Sequence, residues 1–231
     1  MQGKSFYTNG KDDFKKEFCR EEWSAPYLVS YLDIKERMNT FCLIGRRIKD
    51  IRAIGISYMH TSDWIEEQAY NILNERGLSE EEVSSGSDYD SIDDNMPMLR
   101  YMEIDEPIMF LFEDGDQFEI VTEVEPKYRM SMNKIPRTID AGINSPNVDA
   151  AIIFSPCIGS QIVSVEYNTG IVDEHLEESI EVVKKLIIWL SNGMGLLFTT
   201  ECYDFCHVYL IDENKEIVRM EFKELKKALY E

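Results

Sequence analysis

Apolar residues in this chain recur at fixed distances around paired glycines, and that recurrence constrains the fold more than any other feature. Ile44, Gly45, Ile48 and Ile51 reappear 114 positions later as Ile158, Gly159, Ile162 and Val165. Phe110 and Phe112 precede Gly115 as Ile188 and Leu190 precede Gly193, an offset of 78. The same offset relates Phe118, Ile120 and Val124 to Leu196, Phe198 and Cys202, and it relates Tyr128, Met130 and Met132 to Cys206, Val208 and Leu210. The two offsets differ by 36 residues, which one insertion between Ile51 and Phe110 accounts for.

Within each copy the apolar positions alternate, and a period of two puts them on one face of adjacent antiparallel strands. Glu113, Asp114, Gly115 and Asp116 in the first copy, and Ser191, Asn192 and Gly193 in the second, supply the turn chemistry of a hairpin. A third strand follows in each copy, over 128–132 and 206–211, and the Ile-Gly segments, running on to Ile56 and Tyr167, supply a fourth. The flanks carry helical spacing. Residues 12–23 and 27–38 read as helices separated by Pro26, the second with an apolar stripe of Leu28, Leu32 and Met38, and 222–230 reads as a short closing helix. The fold class expected is therefore α+β: two similar antiparallel β units, an internal duplication, with peripheral helices and an acidic insertion in the first unit. The organisation expected is a helical segment over 1–40, a first β repeat over 41–135 with its insertion at 61–106, a connecting loop over 136–153 in which 148–154 can form a short helix or turn, and a second β repeat with a C-terminal helix over 154–231.

Charge is concentrated in that insertion. The chain of 231 residues has 44 acidic and 24 basic side chains, a formal charge of -20. Residues 61–106 hold 14 acidic and two basic residues, a net -12, so the other 185 residues carry only -8. Such a balance argues against nucleic-acid phosphates and anionic membranes as partners. Residues 84–95, rich in Ser, Asp and Gly, read as a solvated loop. Asp88, Asp90, Asp93 and Asp94 offer oxygen ligands, but the central glycine and terminal glutamate of a calcium loop are missing, so no metal is expected there. Residues 1–10 lack an apolar core of signal-peptide length, and no run approaches the roughly 18 apolar residues of a membrane span. Cys19, Cys42, Cys157, Cys202 and Cys206 are an odd number in a chain of a size that does not need disulfide staples. These features predict a soluble, cytoplasmic protein with free thiols.

Two places invite a chemical reading. Cys202, Cys206 and His207 suggest zinc or a thiol nucleophile. The alternation instead turns both cysteines into the core, in phase with Val208 and Leu210, and His207 the other way. There is no nucleophile elbow, phosphate-cradling loop or zinc-protease motif, and the three histidines, His60, His175 and His207, are not at metal-ligand spacing. No catalytic residue, metal ligand or cofactor is assigned.

The paired Ile-Gly strand followed by a long hairpin resembles a broad set of small bacterial proteins, some of which are thought to be immunity proteins for secreted toxins. The resemblance covers roughly 41–210, rests on apolar pattern and two glycines per copy, and assigns no functional residue. The expected function is a non-enzymatic protein-binding module, conceivably immunity-type, whose acidic side chains Glu80, Glu81, Glu82, Asp88, Asp90, Asp93 and Asp94 meet a basic protein. The alternative is a hydrolase-like enzyme using carboxylates or a Cys-His pair.

Overall fold

A computed structural model describes residues 25–52, 94–95, 97–104, 107–123, 127–133, 147–172, 179–199 and 206–224. These residues are mostly β, arranged as antiparallel sheets with few helices. Helix α1 spans Tyr31–Thr40 and α2 spans Asn147–Ile153. The strands are β1 (Ile48–Arg52), β2 (Pro97–Leu99), β3 (Tyr101–Ile104), β4 (Ile108–Phe112), β5 (Gln117–Glu123), β6 (Lys127–Asn133), β7 (Ile162–Val172), β8 (Ile180–Leu190), β9 (Gly195–Thr199), β10 (Cys206–Ile211) and β11 (Arg219–Glu221). One sheet has the order β1-β4-β5-β6, a second has β3-β10-β9-β8-β7, and β2 pairs with β11. Among the described residues no helix is long and apolar enough to cross a membrane.

The two larger sheets pair their strands at the offsets read from the sequence. Ile48 faces Phe112 and Ile51 faces Phe110, while Ile162 faces Leu190 and Val165 faces Ile188. Phe118 lies between Phe110 and Met132, and Leu196 lies between Ile188 and Leu210. Even the first bulge coincides: the register shifts between Ile48 and Asp50 and again between Ile162 and Ser164. Each hairpin turn has three residues, closed by an N–H of the turn glycine donating 3.0 Å to Phe112 O or Leu190 O. Gly115 and Gly193 take φ of 90° and 83°, the left-handed third position of this turn type. Just before them, Asp114 and Asn192 each accept the N–H two residues on, both at 3.1 Å.

Inward-facing residues of the two sheets share one core. Phe110, Phe118 and Ile120 meet Leu186, Ile188, Leu196 and Phe198, all fully buried, with the Phe110 and Phe198 rings 6.5 Å apart. Each such side chain contributes about 1.5–3 kcal/mol by leaving water. Helix α1 is capped by Ser30, whose hydroxyl accepts the Asp33 N–H at 3.1 Å, and it buries Ile34 and Met38. The expected stripe was different: Leu32 is 71% exposed, and Leu28 belongs to an extended segment that bridges to Tyr128. The serine cap starts the helix at Tyr31 and leaves Leu28 outside it, and Ile34 and Met38, four residues apart, share its buried face.

Two further segments add to the sequence reading. Within the connecting segment, residues 147–153 form α2, where a short helix or turn was expected over 148–154. The last part of the 61–106 stretch forms β2 and β3, and β3 joins β10 in the sheet that otherwise comes from 162–211. The buried Arg100 between β2 and β3 holds this crossing, donating to Ile153 O at 2.9 Å, Ile152 O at 3.1 Å and Glu224 at 2.9 Å. It thus caps the carbonyl end of α2 with a cation, the favourable sign there. The helices expected over 12–23 and beyond 224, and the strand from 53 to 56, lie outside the described residues.

Gly115 and Gly193 share a backbone conformation in which an added Cβ meets no atom within 4 Å. Gly115→Ala and Gly193→Ala should therefore each cost only the left-handed strain, about 1–2 kcal/mol, and by similar amounts. Urea titration of the two variants checks this, and a cost several-fold larger at one turn would show that the two environments differ.

Candidate functional site

Strand alternation divides the Cys206–His207 pair. Cys206, Val208 and Leu210 are fully buried in the shared core, and His207 and Tyr209 project from the other face of β10. The thiol and the imidazole thus point apart, and a thiolate–imidazolium pair is not assembled here. On the core side, the Tyr128 hydroxyl is buried without a hydrogen-bond partner, and burial, reinforced by the nearby Cys206, keeps the phenol protonated far above its ordinary range. Thr122, beside Tyr128 in the neighbouring strand, donates to Thr199 O at 3.4 Å and links the sheets.

On the outer side His207 lies in an aromatic cluster. The Tyr101 ring is 6.1 Å from it and 5.4 Å from Tyr209, both stacked, and His207 Nδ1 is 3.0 Å from the Tyr209 hydroxyl. Burial lowers the imidazole pKa, because the cluster offers the charged form poor solvation, so His207 is neutral at pH 7. The same face continues through Leu197 and Ile187 to Trp189, which lies over Gly195; a Cβ there would come within 2.9 Å of the indole. Trp189 Nε1 donates to Glu166 at 3.0 Å, and Lys215 reaches the same carboxylate at 2.5 Å; the bond from Lys215, then that from Trp189, lowers its pKa.

The first sheet carries a different outer face. Gln117, Glu119 and Arg129 are buried polar residues there. Glu119 accepts from Asn133 at 2.6 Å and Ser131 at 3.3 Å, and Arg129 donates to Ala25 O at 3.1 Å while its guanidinium lies 4.7 Å from the Tyr27 ring. A polar alternation at 117, 119, 129, 131 and 133 is visible in the sequence. Its burial is not, because part of the cover comes from residues 25–27, about a hundred positions away. At the 78-residue offset these positions hold Gly195, Leu197, His207, Tyr209 and Ile211, so the sheets match inside and diverge outside.

Of the seven acidic residues expected to meet a partner, Glu80, Glu81, Glu82, Asp88, Asp90 and Asp93 lie outside the described residues, as does Cys202. Asp94 sits in an exposed turn, and its backbone carbonyl accepts the Lys223 N–H at 2.9 Å. Glu221, then Glu224 and Asp94, raise the Lys223 pKa, so an acidic neighbourhood surrounds this anchor. Among the described residues no three His, Cys, Asp or Glu side chains converge as metal ligands. Cys157, in the turn after α2, is buried, and burial pushes its thiol up to about 12 against the opposing pull of Arg100. No family model, curated protein or solved structure matches the chain.

The thiols should react by position. In the native protein an alkylating reagent should modify the exposed Cys42 and leave Cys157 and Cys206 unmodified until denaturant is added. Peptide mass spectrometry reads each site, and labelling of Cys206 at the rate of Cys42 would overturn its core assignment.

His207 gives a pH dependence with a definite sign. Its folded pKa lies below the unfolded value of about 6.5, so below that pH the unfolded chain binds more protons and stability falls, by at most about 1.4 kcal/mol per pH unit. His207→Gln removes that contribution. Denaturation between pH 7.5 and about 5 should show a shallower loss for the variant; parallel curves would mean that His207 titrates alike in both states.

Proposed function

We propose that this chain is a non-enzymatic, cytoplasmic protein-binding module whose acidic stretch 61–106 attracts a basic protein, with an immunity-type role toward a basic toxin as the form most in keeping with its sequence. Charge segregation carries this reading. The described residues hold 18 acidic and 14 basic side chains, a net of -4, so -16 of the total -20 belongs to the rest of the chain. A nearly neutral scaffold bearing one strongly negative stretch is suited to steering an oppositely charged partner, since attraction at long range needs no fixed geometry. We also read the two β meanders as an internal duplication with the acidic stretch inserted in the first copy. The shared registers, the coincident bulge and the matching turns support that reading, because convergence on one bulge position has no packing requirement behind it.

The experiment is affinity capture of partners from the source cell, followed by association kinetics with a variant in which Glu80, Glu81, Glu82, Asp88, Asp90, Asp93 and Asp94 become Gln or Asn. Association of the parent protein should slow as salt shortens the screening length from about 10 Å at 0.1 M to about 3 Å at 1 M. The neutralised variant should associate at least about tenfold more slowly at low salt and converge with the parent at high salt. Equal rates for the two proteins across the salt range would reduce the stretch to a solubilising segment.

A further inference from the structure

Beyond Ile162, whose backbone bonds to Gly45 and Arg46, the longest edge strand among the described residues is open. Strand β7 runs for 11 residues, pairs with β8 along one side, and takes no strand on its other side among the described residues. Natural sheets commonly block such edges with Lys, Arg or Pro. The sequence of β7, IVSVEYNTGIV, has none of these. Its single charge, Glu166, is already engaged by Lys215 and Trp189. Val163 and Ile171 are large apolar side chains left 46% and 68% exposed near its two ends.

We propose that this edge is a homodimer interface, in which β7 pairs antiparallel with β7 of a second copy about a two-fold axis at Tyr167. The strand is self-complementary about that residue. Directly opposed residues in an antiparallel pair share a sheet face. With the axis at Tyr167, Val165 of one copy meets Thr169 of the other, Ser164 meets Gly170 and Glu166 meets Asn168, and Val163, in the bulge between Ile162 and Ser164, comes beside Ile171. Both exposed apolar residues are thereby covered, and no carboxylate faces a carboxylate. An isologous contact of this kind closes at two copies and extends the five-stranded sheet to ten strands without creating a new open edge at the junction. A foreign extended segment could use the same backbone groups, but the pairing of Val163 with Ile171 and of Glu166 with Asn168 arises only with a second copy.

The dimer and the acidic stretch depend on salt with opposite signs. Each copy carries -20, so self-association is opposed by long-range repulsion and should tighten as salt rises, whereas attraction to a basic partner weakens. Sedimentation equilibrium of the full chain tests the interface. The parent protein should reach dimer mass as its concentration is raised, at a lower concentration in 0.5 M than in 0.05 M salt. The double variants Val163→Lys with Ile171→Lys and Val163→Glu with Ile171→Glu place like charges opposite one another and should each be monomeric. Both positions are exposed in the monomer, so circular dichroism should show the fold retained. Mixed in equal amounts, the lysine and glutamate variants should pair, since each charge then meets its opposite. A parent protein that stays monomeric up to about 1 mM overturns the proposal, as does a dimer that both double variants retain, or a mixture that fails to associate.

Discussion

Four backbone hydrogen bonds between residues 45–48 and 159–162 set the relation of the two sheets, and the rest of the fold depends on them. Gly45 N–H donates to Ile162 O at 2.8 Å and Gly159 N–H to Ile48 O at 2.8 Å; Ile162 and Ile48 return N–H bonds to Arg46 O and Ser160 O, each at 2.9 Å. Side chains repeat the exchange, with Gln161 donating to Gly45 O at 2.6 Å and Arg47 donating to Gly159 O. Both glycines sit in the third position of a tight turn with φ of 92° and 80°, where a side-chain-bearing residue is strained. Each bond contributes about 0.5–1.5 kcal/mol, less than the burial of one core phenylalanine. Their effect is directional. Apolar burial has no preferred register, whereas these bonds place the starts of β1 and β7 side by side and turn both inner faces to one core.

That junction leaves the inner faces little freedom and the outer faces a great deal. Inside, every matched pair of positions is apolar, because the facing sheets exclude water from both. Outside, one sheet holds Gln117, Glu119 and Arg129 under a cover that includes residues 25–27, and the other holds Tyr101, His207, Tyr209 and Trp189. The differences between the two meanders are therefore concentrated where a residue can change without disturbing the core. Charge is distributed in the same manner: the scaffold is close to neutral, and a large negative charge placed in its strands would repel itself across a thin sandwich.

The inner half of this arrangement was legible in the sequence. Alternation and glycine spacing predicted β4, β5, β8, β9 and β10, the two hairpin turns and the burial of Cys206, since each of these follows from local periodicity. What could not be read depends on distant segments. The partner of β3 is β10, with Tyr101 opposite Tyr209 and Ile104 opposite Cys206, and no local pattern encodes a crossing between segments so far apart in the chain. Burial of Glu119 and Arg129 needs a cover supplied from elsewhere in the chain. The face of α1 was misassigned because Leu28 lies in the extended segment before the Ser30 cap and so cannot share a helical stripe with Leu32, whereas Ile34 and Met38, four residues apart, share the buried face. His207 was expected on the outer face and lies there, but its near-complete burial comes from Tyr101 and Tyr209, one of them on the crossing strand.

Edges are the remaining constraint, since an unpaired strand edge exposes backbone donors and acceptors that can pair with another chain. The fold treats its four meander edges unequally. At β6, Leu28 and Tyr128 exchange N–H···O bonds of 2.8 Å, so the segment before α1 lies against that edge. At β10 the edge is covered by β3 for the length of Tyr101–Ile104, held in place by Arg100. At the other ends, β1 and β7 meet, among the described residues, around Arg47 and Gln161. Because β7 continues for 11 residues beyond that junction, the mutual contact ends near Ile162, and among the described residues no strand lies along the rest of β7. A long edge is a strong template for pairing, so among the described edges β7 is the strongest template for association through the backbone.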